Sequence, residues 1–282
     1  MYFVFNEVNF TQDALAELNA EMDSSNRFLV SITDPHLMAD EKYKVFAEGV
    51  ALERQSTDSN FINIFIRDPE GKEPWTGQCW PGLSVWTDFL NTNAQNLWSM
   101  QYGYSQFLGT TRRYGFWNDM NEPSVFNDPT VQAQAGMPLN NTHFKADGTM
   151  VRHRDVHNAY GALQHRATFK GLLARDDNTL RPFVLTRSHF FGSQRYGAMW
   201  TGDNNSLFRD VPQSYNQLMS LGLSGIVFGG ADIPGFNGTP TDDMYMQFYQ
   251  VGIFYPFFRA HCNMADPPGN MGVIGATREP WL

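Results

Sequence analysis

Short apolar runs that alternate with helical patterns restrict the fold of this chain more than any other feature of its sequence. Five runs are typical of strands: residues 28–33 (FLVSIT), 114–117 (YGFW), 181–186 (RPFVLT), 198–200 (AMW) and 225–228 (GIVF). Helical patterns cover residues 11–22, 89–100, about 156–174, 215–221 and a stretch beginning near 242. This alternation predicts βα units and a parallel sheet.

A polar or charged residue follows each predicted strand, and these residues are Asp34, Asp119, Arg187, Asp203 and Asp232. In a (β/α)8 barrel the carboxyl ends of all strands converge on one mouth, where catalytic groups gather. A doubly wound open sheet makes a similar prediction, but it usually carries a Gly-rich phosphate loop, and the sequence has none. The sequence therefore favours an α/β fold, a (β/α)8 TIM-type barrel forming one domain over 1–282, with loop insertions near 66–88 and 127–151.

Charge and composition exclude several classes of partner. The formal net charge is −9, and no cluster of basic residues is present, which argues against binding to nucleic acid. No run of 18 apolar residues and no basic leader occurs, so neither a membrane span nor a signal peptide is predicted. Cys79 and Cys262 fit no metal-binding spacing, and the sequence leaves open whether they pair.

Two of the strand-end aspartates lie beside tryptophan and amide side chains, Asp119 in WNDMNE and Asp203 in AMWTGDNN. A carboxylate kept ionised by neighbours such as Asn118 or Arg187 can act as a nucleophile, whereas one less solvated beside Trp200 can keep its proton as a general acid. Retaining glycoside hydrolysis needs such a pair, about 5–5.5 Å apart, and needs no metal or organic cofactor. Aromatic residues, 15% of the chain, would suit stacking on sugar rings.

Several long blocks resemble the signature sequences of glycoside hydrolase family 31, the retaining α-glucosidases. They are WNDMNEPSVF, RPFVLTRSHFFGSQRYGAMWTGDN, GGADIPGF and FYPFFRAH. DPHL, GQCWPG, HRDVHNAYG and REPWL, together with Asn118 in place of an apolar residue, are most similar to the members that trim N-glycans in the endoplasmic reticulum. The resemblance extends over nearly the whole chain. It implies an exo-acting enzyme for terminal non-reducing α-linked glucose, with α-1,3-linked glucose of N-glycans as the expected substrate.

The resemblance also implies roles for single residues. Asp119 is expected to be the nucleophile and Asp203 the acid/base. The residues expected to bind the glucose are Trp80, Trp117, Arg187, Trp200, Phe236 and His261. The residues expected to support the site are Asn121, Glu122 and Asp232. Asp34 is interpreted as a residue that orders its loop.

Other expectations concern the whole protein. The resemblance implies that the chain covers about strands 3–7, so that the barrel is incomplete and the isolated chain weakly active or inactive. It also implies a regulatory β subunit as partner, an oligosaccharide substrate, and the lumen of the endoplasmic reticulum or the secretory pathway as location. Asn263, Gly229 and the loop 265–277 depart from the family pattern, which bears on specificity.

Two alternatives stay open at the level of the sequence. One is a maltase-like α-1,4-glucosidase, and the other is a noncatalytic carbohydrate-binding or interaction module. Taken singly, an aspartate at a strand end is more often a turn former or helix cap than a nucleophile. Trp80, Phe236 and His261 would likewise serve more often in packing than in binding sugar. Only their joint occurrence in long blocks favours an enzyme.

Overall fold

The computed structural model describes residues 2–57, 61–126 and 136–263, which form two compact units divided between residues 190 and 191. The elements of the first unit are α1 (Gln12–Ser24), β1 (Leu29–Ile32), β2 (His36–Met38), α2 (Lys44–Glu53), β3 (Thr76–Cys79), β4 (Gly82–Trp86), α3 (Thr92–Met100), β5 (Tyr114–Asn118), β6 (Thr142–Phe144), β7 (Met150–Arg152), α4 (His153–Arg175) and β8 (Val184–Thr186). Those of the second are a 3-10 turn (Ser193–Arg195), β9 (Ala198–Trp200), α5 (Asp210–Leu223), β10 (Gly229–Gly230), β11 (Asp232–Ile233), α6 (Asp242–Gly252) and β12 (Arg259–Ala260).

A parallel sheet organises the first unit in the order β1, β5, β8. Strand β5 pairs with β1 from Tyr114 opposite Leu29, and with β8 up to Asn118 opposite Thr186. The predicted strands at 28–33, 114–117 and 181–186 are therefore confirmed, although the first is shorter by one residue at each end and the last begins only at Val184. Because Asn118 and Thr186 are partners in the register, the residues that follow them leave the sheet at the same level.

Helices α1, α3 and α4 begin and end close to the predicted residues, whereas α2 was not predicted. Thr11 caps α1 by accepting a hydrogen bond from the Ala14 N–H at 3.2 Å, and α1 buries Leu15. Helix α4 packs on α3, where Trp98 donates to the Thr168 hydroxyl at 2.9 Å. Buried residues of both helices and of strands β5 and β8 belong to one apolar core, so the helices and these strands are packed together.

The two stretches expected as loop insertions contain strands that the sequence analysis did not predict. Strands β3 and β4 form an antiparallel sheet with β2, and β6 and β7 form an antiparallel hairpin. Each of these strands has five residues or fewer, and β3 reads TGQC, so period-two alternation gives little signal. Residues 127–135 of the second stretch lie outside the described part of the chain.

The second unit contains the parallel pairs β9–β10 and β11–β12. The strand predicted at 225–228 was placed too early, because it lies at Gly229–Gly230 instead. Gly225 has a left-handed φ of +79°, and the Ile226 N–H returns to the Leu221 carbonyl, so residues 225–226 terminate α5. Among the described residues, no helix has both the length and the apolar character that crossing a bilayer requires.

Candidate active site

Asp119 follows the last residue of β5, at a point where the backbone is fixed on several sides. The buried Asn118 side chain donates to the Thr33 carbonyl and hydroxyl oxygens, both at 3.1 Å, and so joins the ends of β5 and β1. Met120 then adopts a left-handed φ of +55°, and the Ser124 N–H closes a turn onto the Met120 carbonyl at 2.9 Å. The chain therefore turns sharply next to Asp119. This fixed turn restricts the orientations that the Asp119 carboxylate can adopt.

Arg187 connects the two carboxylates of this loop. Its Nη1 lies 2.9 Å from Oδ1 of Asp119, and its Nε and Nη2 lie 2.7 and 3.0 Å from the two Glu122 oxygens. The Arg187 and Asp119 side chains are only 18% and 15% exposed, so this contact is weakly screened by water. A bidentate guanidinium fixes direction as well as charge, and Arg187 therefore sets the position of Asp119 relative to Glu122.

Asn121 ties the same loop to the end of β8. Its side chain is fully buried, donates from Nδ2 to the Thr186 hydroxyl at 2.9 Å, and accepts the Ser188 N–H at 2.8 Å. The Arg187 N–H donates to the Asn118 carbonyl at 3.1 Å. This is the geometry expected of residues that fix the Asp119 loop, which is the role predicted for Asn121 and Glu122.

Asp34, interpreted from the sequence as a residue that orders its loop, is a buried carboxyl at the end of β1. Asp34 is 1% exposed and accepts a hydrogen bond from the Tyr2 hydroxyl, which also lies 2.9 Å from Nε2 of His36. Burial, with the negative charge of Asp119 as the next cause, raises the pKa of Asp34 to about 7. Burial lowers the pKa of His36 to about 3, so that imidazole is neutral. In the sequence, Asp34 shares with Asp119 only its position after a predicted strand.

The two predicted aromatic residues of the first unit, Trp80 and Trp117, are connected to the Asp119 loop through different elements. Trp80, in the turn between β3 and β4, is 68% exposed, and its ring meets that of Phe126 edge-on with centroids 4.6 Å apart. The Phe126 N–H donates to the Gln78 carbonyl at 2.8 Å, which joins the hairpin to the far end of the Asp119 loop. Trp117 is paired in β5 opposite Ile32 and is partly buried.

Asp203 follows β9 in the second unit and is exposed to solvent. Its loop is fixed by Asn204, whose carbonyl accepts the N–H groups of Phe236 and Asn237 at 2.8 and 3.1 Å. The Asn204 side chain donates to the Asp232 carbonyl at 3.0 Å. A cavity of about 190 Å³ lies beside this loop, lined in part by Asp203 and Asn204. The carboxylate of Asp203 is thus presented by a loop held to β11.

Two of the remaining predicted residues of the second unit, Asp232 and Trp200, contact Arg259, a residue that sequence reasoning missed. Arg259 forms an ion pair with the fully buried Asp232 and lies 5.3 Å from the centroid of the Trp200 ring. Phe236 and His261 stack with centroids 5.5 Å apart. Burial, and to a smaller extent the charge of Arg259, lowers the pKa of His261 to about 4, so His261 is neutral at pH 7 and can both donate and accept.

These arrangements supply the groups that glycoside hydrolysis requires. The first unit holds a carboxylate, Asp119, in contact with a guanidinium at a strand end, and the second holds the solvent-exposed Asp203 as well as an aromatic and cationic cluster. Neutral imidazole, guanidinium and aromatic faces are the groups that bind sugar hydroxyls and ring faces. Nothing in either arrangement depends on a basic surface for phosphate.

Comparisons with known proteins agree with this chemistry. The family model described as "Glycosyl hydrolases family 31 TIM-barrel domain" matches residues 1–281. The "Probable glucan 1,3-alpha-glucosidase" of Oryza sativa subsp. japonica is 39% identical over 281 residues, which are 100% of this chain and 27% of that protein. The chain thus spans about a quarter of the length of this relative.

Two solved structures are similar over 99% of this chain at 37% identity and a TM-score of 0.84. One is the glucosidase II alpha subunit with α3-Glc2 bound, of which the chain covers 27%, and the other is the ER glucosidase II heterodimer of the catalytic subunit with the binding domain of the regulatory subunit, of which it covers 28%. The chain is therefore similar to the glucosidase II alpha subunit, as the resemblance of its sequence blocks implied. This chain belongs to glycosyl hydrolase family 31 and forms its TIM-barrel domain, an α/β fold with a parallel central sheet.

Proposed function

We propose that the protein is an exo-acting α-glucosidase that releases terminal non-reducing glucose with retention, with the α-1,3-linked glucose of N-glycans as its preferred substrate. The contact that carries this proposal is the one between Arg187 and the carboxylates of Asp119 and Glu122 at the strand ends. Similar proteins named glucan 1,3-alpha-glucosidase and glucosidase II alpha subunit support the reaction class and the linkage.

Asp119 and Asp203 divide the reaction between them. A carboxylate oxygen of Asp119 attacks the anomeric carbon as the glycosidic C–O bond breaks, and the leaving oxygen takes the proton of Asp203. Asp203 then removes a proton from water, which attacks the same carbon and breaks the ester to Asp119. Two inversions give net retention. Arg187 keeps the Asp119 carboxylate directed, so that less orientational freedom is lost at the transition state.

The other predicted residues act on the sugar rather than on the bond. Trp80, Trp117, Trp200 and Phe236 provide ring faces for the glucose, and Arg187 and His261 provide hydrogen-bonding groups for its hydroxyls. Asp232 orients the Arg259 guanidinium over the Trp200 ring. We include in the proposal a regulatory subunit as partner and a lumenal location in the endoplasmic reticulum, because a similar catalytic subunit was solved in such a heterodimer.

The reaction class is tested with an aryl α-glucoside and the variant Asp119→Asn. The variant should lose at least about 10³-fold in kcat, because the amide cannot form the glycosyl ester. Asp147→Asn, which alters an exposed aspartate near β6, serves as the matched control and should keep wild-type activity. Equal, background-level rates for wild type and Asp119→Asn would reject the enzyme.

Linkage and stereochemistry need separate measurements. Disaccharides linked α-1,3 should be cleaved faster than those linked α-1,4, whereas the reverse order would favour a maltase-like enzyme. NMR of the first glucose released should show the α anomer, and a fluorinated α-glucosyl fluoride should label Asp119 covalently. Appearance of the β anomer first would contradict the double displacement.

A further inference from the structure

The HRDVHNAYG block is not used by the proposed reaction, yet it places two histidines in a continuous hydrogen-bonded row. Nε2 of His143, on β6, lies 2.9 Å from Nδ1 of His153, and Nε2 of His153 lies 2.8 Å from Nδ1 of His157. Nδ1 of His143 lies 2.6 Å from Oδ1 of Asp88. We call Asp88, His143, His153 and His157 the histidine file.

The inner end of the histidine file is a fully satisfied carboxylate. Asp88 is completely buried, and its oxygens accept hydrogen bonds from the Asn63 side chain at 2.7 Å and from the Phe144 N–H at 2.8 Å, besides the contact with His143. The Leu90 N–H adds another at 3.1 Å. Every other group in these contacts is an N–H donor, so the Asp88 oxygens act as acceptors and Nδ1–H of His143 donates to Oδ1.

This anchor fixes the tautomer of each imidazole in turn. With Nδ1 of His143 protonated, its Nε2 accepts from Nδ1–H of His153, and Nε2 of His153 accepts from Nδ1–H of His157. Burial lowers the pKa of His153 to about 3 and also lowers the pKa of His157. In the neutral file the outermost nitrogen, Nε2 of His157, therefore has no proton and is where an added proton can bind.

The outer end of the histidine file lies against the loop that carries the proposed nucleophile. A Cβ built on Gly136 would lie 3.1 Å from Cε1 of His157 and 3.5 Å from the Pro123 carbonyl, so these three groups are neighbours. In the part of the chain that the structure describes, the titratable groups that interact with His157 are His153, through the hydrogen bond on its own helix, and Glu122 on this loop, whose charge opposes the lowering of the His157 pKa by burial. Glu122 is the residue that holds Arg187.

On the basis of the proposed function, we infer that the histidine file is a positioning device for the reaction, which keeps the Glu122 carboxylate available to Arg187. While His157 is neutral, the Arg187 guanidinium is the cation that the structure places in contact with Glu122, and it is held toward Asp119. A proton added to Nε2 of His157 places a second positive charge within electrostatic range of Glu122. The two cations then compete for one carboxylate, and the direction of Arg187 toward Asp119 weakens.

The variant His157→Asn tests this inference. The asparagine amide can still donate to Nε2 of His153, but it cannot be protonated. In wild type, kcat/KM should fall on the acid side partly through His157, so His157→Asn should move that limb to lower pH by about 0.5 unit or more, with KM at neutral pH within about two-fold of wild type. A residue that only filled space would lower stability without moving the limb.

Two further variants separate the outcomes. His157→Leu also cannot be protonated but removes the hydrogen bond to His153, and like His157→Asn it should move the acid limb to lower pH. His165→Asn makes the same substitution two turns further along α4, outside the histidine file, and should leave the pH profile unchanged. Thermal unfolding measurements check that each variant is folded. Imidazole 15N shifts should show that Nε2 of His157 is unprotonated at neutral pH.

The result that overturns the inference is a pH profile of His157→Asn that superimposes on wild type while Asp119→Asn is inactive. If wild type and Asp119→Asn are both inactive, it is the proposed function that fails. A protonated Nε2 of His157 at neutral pH would overturn the inference independently of any activity.

Discussion

At the scale of single residues, the planar guanidinium of Arg187 makes a set of contacts that a lysine ammonium group could not make. Three nitrogens of one guanidinium reach Asp119 and both oxygens of Glu122. We expect Arg187→Lys to keep the positive charge but lose this geometry, lowering kcat by about 10–100-fold in steady-state assays. Arg27→Lys, in an exposed ion pair with Glu21, is the matched control. Wild-type kcat in Arg187→Lys would mean that charge alone is sufficient.

Asp34 makes a prediction about stability rather than rate. Its pKa in the folded protein is about 7, against an ordinary value of 3.8, so the folded state binds the proton more tightly than the unfolded state. The stabilisation from this proton is complete below about pH 4 and is lost as pH rises through about 7. Between these pH values the free energy of unfolding should therefore fall less in Asp34→Asn than in wild type, and the difference should be on the order of a few kcal/mol.

Urea unfolding at a series of pH values measures this effect. Asp147→Asn, an exposed residue whose pKa lies below the ordinary aspartate value, should retain the wild-type slope between pH 4 and 7. An Asp34→Asn profile parallel to wild type would show that Asp34 is ionised throughout this range.

The comparison of Asp34 with Asp119 shows what sequence can and cannot predict about residues. Both follow strands, and both positions were visible in the pattern. Only burial distinguishes them, because Asp34 is 1% exposed and beside Tyr2, a residue 32 positions away along the chain. Arg259 was missed for the same reason, since its contacts with Asp232 and Trp200 join strands distant in sequence.

At the scale of elements, the close approach of α4 to the Asp119 loop depends on one glycine. A Cβ on Gly161 would lie 2.6 Å from the Ser188 side chain and 2.7 Å from the Asn121 carbonyl oxygen. Gly161→Ala must therefore displace α4 or the loop, and we expect a loss of about 1–3 kcal/mol in unfolding free energy, with a lower kcat. Alanine otherwise favours helices.

Gly222 on α5 offers the opposite case. No heavy atom lies within 4 Å of a Cβ built on it, so Gly222→Ala should be neutral or stabilising by up to about 1 kcal/mol. Thermal unfolding and kcat measured on both variants test the difference. Equal effects at Gly161 and Gly222 would contradict the role of close packing.

Prediction of elements succeeded where a pattern was long or strongly apolar. Helix α4 and strand β5 are such cases, and their observed bounds agree with the prediction to within a few residues. It failed for β10, because Gly229–Gly230 has no side chains to form a pattern. A Cβ at Gly230 would lie 1.8 Å from the Phe257 carbonyl, so the strand exists through backbone approach alone.

At the scale of the whole molecule, the fold class followed from the order of strands and helices, and the family from several long blocks together. Functional residues were expected at the carboxyl ends of the strands of a TIM barrel. The family match confirms that the chain has this barrel fold. The antiparallel sheet β2–β4–β3 and the hairpin β6–β7 are additions to the βα repeat. Because the hairpin carries His143, one such addition supplies part of the histidine file.

The cooperativity of the first unit can be measured through Cys79. This thiol is 6% exposed inside the main apolar cluster, and burial raises its pKa to about 12, so it should be inert to a disulfide reagent at neutral pH in the folded protein. In a Cys262→Ser background, the rate of labelling should rise with urea at the slope of global unfolding, since no smaller opening frees a residue packed at that depth. Labelling that is fast in buffer, or independent of urea, would show instead that the β3–β4 hairpin opens locally while the rest of the unit stays folded.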